Sequence, residues 1–467
     1  SHLNEKGGWA ALGRLDLRLA DLGTLTVSGT ARTTGFGTLE QRVNERSRED
    51  VYTLDVAANI EAGKLIPKKL GLQIPVYAGI SRRVSTPTYD PYDLDIKLKQ
   101  KLKFASPDQK DSIRNDAQDI TSIKTVNLTN VRKIKTDGKK PKVWSVTNFD
   151  FNYSYIETEN HNPLIEKNLI RRTRGALGYT YAPLTRPFEP FKKIIKSGSP
   201  WLGLIKDINF NYAPSQISFK ADVFRQYGAL GVRNVGGGPF KIPVTYDKYF
   251  MFDRFYIVQW NLTRSINIDY SAVNNSRIDE PFGAIDTKEK KDSVRNNFFK
   301  GGRSTNFHQE VILTYNVPTQ KIPLLKWTTI RASYNTRYNW LAASLLPEAK
   351  SLGNTLSNTQ TRTVNSELKF EDLYNKWKFL RAVYNSAPSP ANKNNNAAVG
   401  NKKTDKTSNN SKSDTTSKRQ VAKLKDPNQL PQIGDVPKFF IKILTSLKRA
   451  GIQYTEDFGT SLPGYLD

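Results

Sequence analysis

Cysteine is absent from this chain of 467 residues. Its absence removes a disulfide framework, a thiolate metal site and a cysteine nucleophile, but leaves the compartment open, because many exported proteins also do without it. Methionine occurs once, and the three histidines, His2, His161 and His308, have no spacing that suits a metal; each reads as a surface or strand residue. No stretch approaches the roughly 18–20 consecutive apolar residues of a membrane-crossing helix, which excludes a helical membrane protein. No Gly-x-Ser-x-Gly elbow occurs, and Gly236-Gly237-Gly238-Pro239 lacks the Lys-Ser/Thr of a phosphate loop and reads as a flexible turn. Nothing points to an enzyme, a metal or a cofactor. The opening Ser-His-Leu-Asn-Glu does not read as a signal peptide, and Ser1–Leu3 reads as a processing scar on a piece of something longer.

Charge of one sign dominates what is present. Lys and Arg number 71 against 44 Asp and Glu, a formal +27. The basic residues are scattered, with no zinc finger or RNP-type motif to organise them, so nucleic acid is not the expected partner. Basic loops against anionic lipid or lipopolysaccharide make better use of the charge.

Alternation is the second positive signal. In TTIRASYNTRYNW (Thr328–Trp340), Ile330, Ala332, Tyr334, Thr336, Tyr338 and Trp340 share one side of a two-residue repeat, and Arg331, Ser333, Asn335, Arg337 and Asn339 the other. Phe149, Phe151, Tyr153 and Tyr155 interleave in the same way with Asp150, Asn152 and Ser154. Similar runs recur along the chain and predict about twelve to fourteen strands. The ends of successive strands do not alternate cleanly across Thr86–Trp144 unless another strand is added near Ile123–Arg132.

The connections are of two kinds. Leu65–Gln73, Pro183–Lys206 and Pro318–Trp327 carry Pro, Lys and Trp and suit short interfacial helices, whereas Gly35–Asp50, Gly228–Asp247 and Asn275–Ser304 are long and polar. Residues 1–385 are expected to hold the strands and loops. Residues 386–430, rich in Asn, Lys and Ser, cannot bury enough surface to offset the entropy of ordering and read as a disordered insert. Residues 431–467 read as an amphipathic helix over Val436–Ala450, docked near Leu373–Val383, followed by a terminal segment.

Strand length suggests what the apolar side meets. Eleven residues at about 3.3 Å each, tilted by about 40°, project to about 28 Å, close to the roughly 25 Å apolar band of an outer-membrane barrel. An arginine facing lipid at the midplane costs roughly 2–4 kcal/mol and one facing water costs little. Asp150, Asn152, Ser154, Arg331, Ser333, Asn335 and Arg337 are therefore expected to face a wet lumen. Phe149, Phe151, Tyr153, Tyr155, Tyr334, Tyr338 and Trp340 are expected to face lipid or its interface. Arg254 runs against this pattern, sharing a side with Phe252, Tyr256, Val258 and Trp260, and has to be paired or lie near an interface. Two other readings fit alternation alone: a soluble β-sandwich adhesin or binding module whose apolar side is a dry core, and another outer-membrane barrel such as a nutrient receptor.

Several longer stretches carry a resemblance. They are GKLIPKKLGLQIPVYAGISRRVSTPTYDPYDLDIKL (Gly63–Leu98), VNLTNVRK (Val126–Lys133) and KKPKVWSVTNFDFNYSYIET (Lys139–Thr158). PFEPFKKI with PWLGLIKDINFNYAPSQISFKADVFRQY (within Pro187–Tyr227), NNSRIDEP (Asn274–Pro281) and LGNTLSNTQTRTVNSELKF (Leu352–Phe370) complete the set. In this order they resemble the SprA/Sov family, the outer-membrane translocon of the type IX secretion system of Bacteroidota. The resemblance implies part of a very large transmembrane antiparallel β-barrel that exports folded proteins to the cell surface, in systems linked to gliding motility. The partners it implies are secreted cargo bearing a type IX signal domain, a small partner barrel and a periplasmic plug protein.

Overall fold

A computed structural model describes residues 7–37, 46–134, 142–183, 186–196, 199, 201–235, 240–346, 352–377, 379–380 and 435–466. The insert at 386–430 and the glycine turn at 236–239 lie outside the described residues.

The two-residue repeat becomes a fifteen-stranded antiparallel sheet. Its strands are β1 (Ala10–Leu19), β2 (Gly23–Arg32), β3 (Glu49–Glu61), β4 (Leu72–Gln73), β5 (Pro75–Pro87), β8 (Asp119–Lys133), β9 (Phe149–His161), β10 (Ile165–Tyr181), β11 (Gln216–Val232), β12 (Thr245–Trp260), β13 (Ile266–Arg277), β14 (Arg303–Val317), β15 (Thr328–Leu341), β16 (Asn354–Lys369) and β17 (Arg449–Tyr465). Fourteen follow one another in chain order across the sheet, and β4 pairs beside β8. A separate two-stranded pair, β6 (Tyr89–Asp90) and β7 (Asp93–Lys97), leads into helices α1 (Leu98–Phe104) and α2 (Pro107–Ala117). Further helices are α3 (Gly203–Lys206), α4 (Lys288–Phe299), α5 (Phe370–Tyr374) and α6 (Asp435–Leu444). Among the described residues no helix is long and apolar enough to cross a membrane.

The strand needed between Thr86 and Trp144 exists as β8, paired with β5 and β9. It carries a bulge between Leu128 and Val131, where Asn130 adopts φ +53° and its backbone N–H donates to Asn152 Oδ1 at 2.7 Å. Asn is among the few side chains that tolerate this conformation. The segment after α6 differs from expectation in being a full strand, β17, paired with β16 along its length. Glu456 and Thr460 fall among Ile452, Tyr454, Phe458 and Leu462 and blur its alternation. Tyr374 Oη donates to Leu444 O and Leu447 O, so α6 ends beside the segment expected to dock it.

With β8 in place, the two kinds of connection separate onto opposite ends of the sheet. Leu65–Gln73, Pro183–Lys206 and Pro318–Trp327 all lie at the end where β3, β10 and β14 finish, called the lower end here. Gly35–Asp50, Gly228–Asp247 and Asn275–Ser304 lie at the upper end.

The upper connection 278–302 departs from the polar loop expected of it, because it folds back onto the sheet. Ile278 and Val294 pack with Phe250, and Val223, Phe252, Ile285 and Phe298 close around them. Glu280 takes a 2.6 Å ion pair from Arg225, and Lys248 Nζ donates to Gly283 O at 2.8 Å. Gly302 holds φ +71°, and a Cβ there would lie 2.6 Å from Ile278 Cδ1, so the return into β14 needs glycine. Elsewhere the sheet is one layer thick among the described residues, and side chains such as Leu15, Leu54 and Ile452 stand more than half exposed.

Candidate functional site: a wall with two faces

Residues paired across an antiparallel sheet point to the same side, so the registers carry one face from strand to strand. Starting from Arg331, Ser333, Asn335 and Arg337 on β15, the pairings run through Glu310 on β14, Ser271 on β13, Asp253 on β12, Asp222 on β11 and Ala176 on β10, and arrive at Asn152 on β9. Asp150, Asn152 and Ser154 therefore share a face with the four polar residues of β15, six strands away. By the same registers Phe149, Phe151, Tyr153 and Tyr155 share the other face with Tyr334, Tyr338 and Trp340.

The polar face is laced by hydrogen bonds across and along its strands. Arg174 holds Asp222 with two, at 3.0 and 2.6 Å, and Lys220 adds a third contact at 3.2 Å. Glu310 Oε1 accepts from Arg337 Nε at 2.7 Å and from Asn335 Nδ2 at 2.8 Å. Ser154 Oγ donates to Asn127 Oδ1 at 2.7 Å, and Asn152 Nδ2 to Asp150 Oδ2 at 3.2 Å. Asp150 occupies the space left by Gly178, where a Cβ would lie 2.2 Å from Oδ1. Phe255 and Ile257 also stand on this face, so it is not uniformly polar. A groove of about 430 Å³ lined by Asn127, Asn152, Ser154, Arg174, Lys220 and Asp222 runs across it. These side chains bind one another, and among the described residues they form an acceptor- and donor-rich surface without a focused site.

The apolar face is held by aromatic pairs, Phe149 with Tyr179 at 5.0 Å and Phe219 with Tyr256 at 5.2 Å between ring centroids. Several of its charged residues are held by neighbours on the sheet. Arg254 donates to Ser276 Oγ at 2.7 Å and lies over the Phe252 ring at 5.1 Å. The sequence reading passed over one network on this face. Glu157 accepts from Tyr155 Oη at 2.7 Å, Arg171 Nε at 2.6 Å and Lys124 Nζ at 3.0 Å. The only sequence signal for it is that Glu157 stands where the aromatic alternation of β9 calls for another apolar residue. The polar-face pair Arg174–Asp222 was missed too, because its partners are far apart in sequence.

At the lower end, two carboxylates tie connections together outside the strands. Asp207 is held below the usual carboxylate range by the Lys321 ammonium 2.9 Å away, and Glu189 by Lys192 at 2.6 Å, with Arg264 beside it. A depressed folded value means that these ties are fully present above the ordinary carboxylate pKa and are lost as pH falls through the folded value. Amide exchange in 186–196 and 318–327, corrected for intrinsic rate, is expected to quicken between about pH 4 and pH 2. No change in that window would show that the ties do not order these connections.

Residues 1–102 match the family model SprA_N, described as a motility related/secretion protein. This agrees with the SprA/Sov resemblance, whose first quoted stretch, Gly63–Leu98, lies inside the match. No curated protein matches the chain. Among solved structures, the closed form of the ferric-catecholate import receptor Fiu from E. coli K12 is similar at 8% identity and a TM-score of 0.23, covering 78% of this chain and 61% of that one.

Proposed function

We propose, taking the secretion- and motility-family match of the first 102 residues as the premise, that this chain is a wall segment of a SprA/Sov-type translocon in the bacterial outer membrane. Its polar face lines a wet, protein-conducting pore and its apolar face meets lipid. The observation that carries this reading is the register, which gathers the fourteen alternating residues read from β9 and β15 onto one polar and one apolar face of a single-layered sheet. A large barrel satisfies its backbone hydrogen bonds around the circumference and leaves a lumen, so the segment acts passively and not as an enzyme. Cargo with a type IX signal domain passes along the polar face, and the small partner barrel and plug protein complete the machinery. A soluble β-sandwich adhesin is less well supported: it needs a second sheet over the apolar face, and among the described residues the second sheet is only the pair β6–β7.

The absence of cysteine makes the test direct. Single cysteines placed from Ile330 to Trp340 in the full-length parent protein, in membranes, are treated with a membrane-impermeant maleimide. Arg331, Ser333, Asn335 and Arg337 are expected to label and Ala332, Tyr334 and Thr336 to stay protected. Uniform labelling, or recovery in the soluble fraction, would overturn the wall reading.

A further inference from the structure

The lower margin of the apolar face has its own chemistry. Tyr179 and Trp260, both on that face, send their polar atoms to carbonyls of lower connections: Tyr179 Oη donates to Val143 O at 2.7 Å, and Trp260 Nε1 to Asn211 O at 2.9 Å. The segments around Val143 and Asn211 therefore hang from the apolar side of the wall. Along this end each longer connection presents a large apolar side chain to solvent: Leu65, Trp144, Trp201, Leu324 and Trp377 are all at least two-thirds exposed. Lysines flank them. Lys68 and Lys69 follow Leu65, Lys142 lies over the Trp144 ring at 5.5 Å, and Lys193, Lys196, Lys326 and Lys376 stand exposed nearby. Of the acids at this end, Glu189 and Asp207 are already taken by neighbouring cations, and the described lysines outnumber Asp21, Glu371 and Asp372, so the balance of the described rim is positive.

Apolar bodies with basic tips, strung along the margin of a lipid-facing surface, match the interfacial layer of a bilayer. Aromatic rings settle at headgroup depth, and lysine stems lie along apolar surface while the ammonium reaches phosphate. The geometry points to a headgroup collar: the lower connections bind anionic phospholipid of the leaflet that meets the wall there. This rests on the membrane reading above and adds the chemistry of the lipid and the residues that select it.

The test uses the full-length protein in nanodiscs of equal phosphatidylcholine and phosphatidylglycerol, with native mass spectrometry counting the lipids retained on release. Phosphatidylglycerol is expected to be retained preferentially. The variant Lys68→Glu/Lys69→Glu/Lys193→Glu/Lys196→Glu is expected to lower that retention at least about tenfold, since each cation near an anionic surface contributes on the order of 1 kcal/mol. The same four positions changed to Gln give a smaller loss and guard against misfolding by charge reversal. Equal retention of the two lipids, or a Glu variant that retains phosphatidylglycerol like the parent, overturns the collar while leaving the wall reading intact. Failure to insert into any bilayer overturns both. Acetylation of these lysines that is blocked by other proteins of the machinery and not by lipid identifies a protein occupant and also overturns the collar.

Discussion

Glu157→Leu is expected to destabilise the protein by about 2–4 kcal/mol in a bilayer, because it strips the largely buried shared anion from a charged cluster. The carboxylate is only 9% exposed and sits between Lys124 and Arg171, each about half exposed. It stands eight residues from the start of β9, about 20 Å above the lower margin at a strand tilt near 40°. That height lies inside the roughly 25 Å apolar band but toward its upper limit. Removing the anion leaves two cations and the Tyr155 hydroxyl without their acceptor. Removing the whole network is much milder, because a charged cluster replaced by packed apolar groups loses its desolvation cost together with its attraction. Lys124→Leu/Glu157→Leu/Arg171→Leu is therefore expected within about 1 kcal/mol of the parent. Urea unfolding in lipid vesicles reads both. A single mutant costing no more than an exposed ion pair, about 0–1 kcal/mol, would mean that this face meets water.

Val294→Asp is the second large expectation, and it concerns the strap 278–302. Val294 is buried against Phe250 and Ile278. A carboxylate there loses the apolar contact and is desolvated without a partner, at a cost of about 3 kcal/mol or more. The strap's opening equilibrium shifts accordingly, and cleavage by trypsin at Lys288, Lys291 and Arg295 is expected to accelerate about a hundredfold where opening is fast relative to cleavage. Asn296→Asp makes the same change in charge at an exposed position of α4 and is expected to leave the rate unchanged. Similar rates in the two variants would show that the strap is not held by its apolar anchors.

The strap also shows where sequence reading stopped. Residues 275–304 read as a long polar loop because Ile278, Ile285, Val294 and Phe298 are spread over it without a period, and the surface they seek, Phe250 with Val223 and Phe252, belongs to other strands. β17 was missed for a local reason: Glu456, Thr460 and Pro463 interrupt its alternation, and the strand forms because β16 offers a matching ladder from Asn354 to Lys369. Arg254 was flagged by its place among aromatics, but its partner Ser276 lies on β13 and becomes a neighbour only through pairing. Glu157 breaks the run of β9 visibly, yet the cations that make it tolerable come from β8 and β10.

By itself the sequence determined what a single strand can say. A side-chain period of two is intrinsic to extended backbone, so the separation of Arg331, Ser333, Asn335 and Arg337 from Ala332, Tyr334 and Thr336 needed no neighbour. The absence of cysteine and of long apolar runs likewise excluded whole classes without reference to folding. Only the tertiary structure decided that Asp150, Asn152 and Ser154 look to the same side as the polar residues of β15. A slip of one residue at any of six intervening pairings would reverse that outcome, and register is set by contacts between strands, which no single stretch of sequence contains.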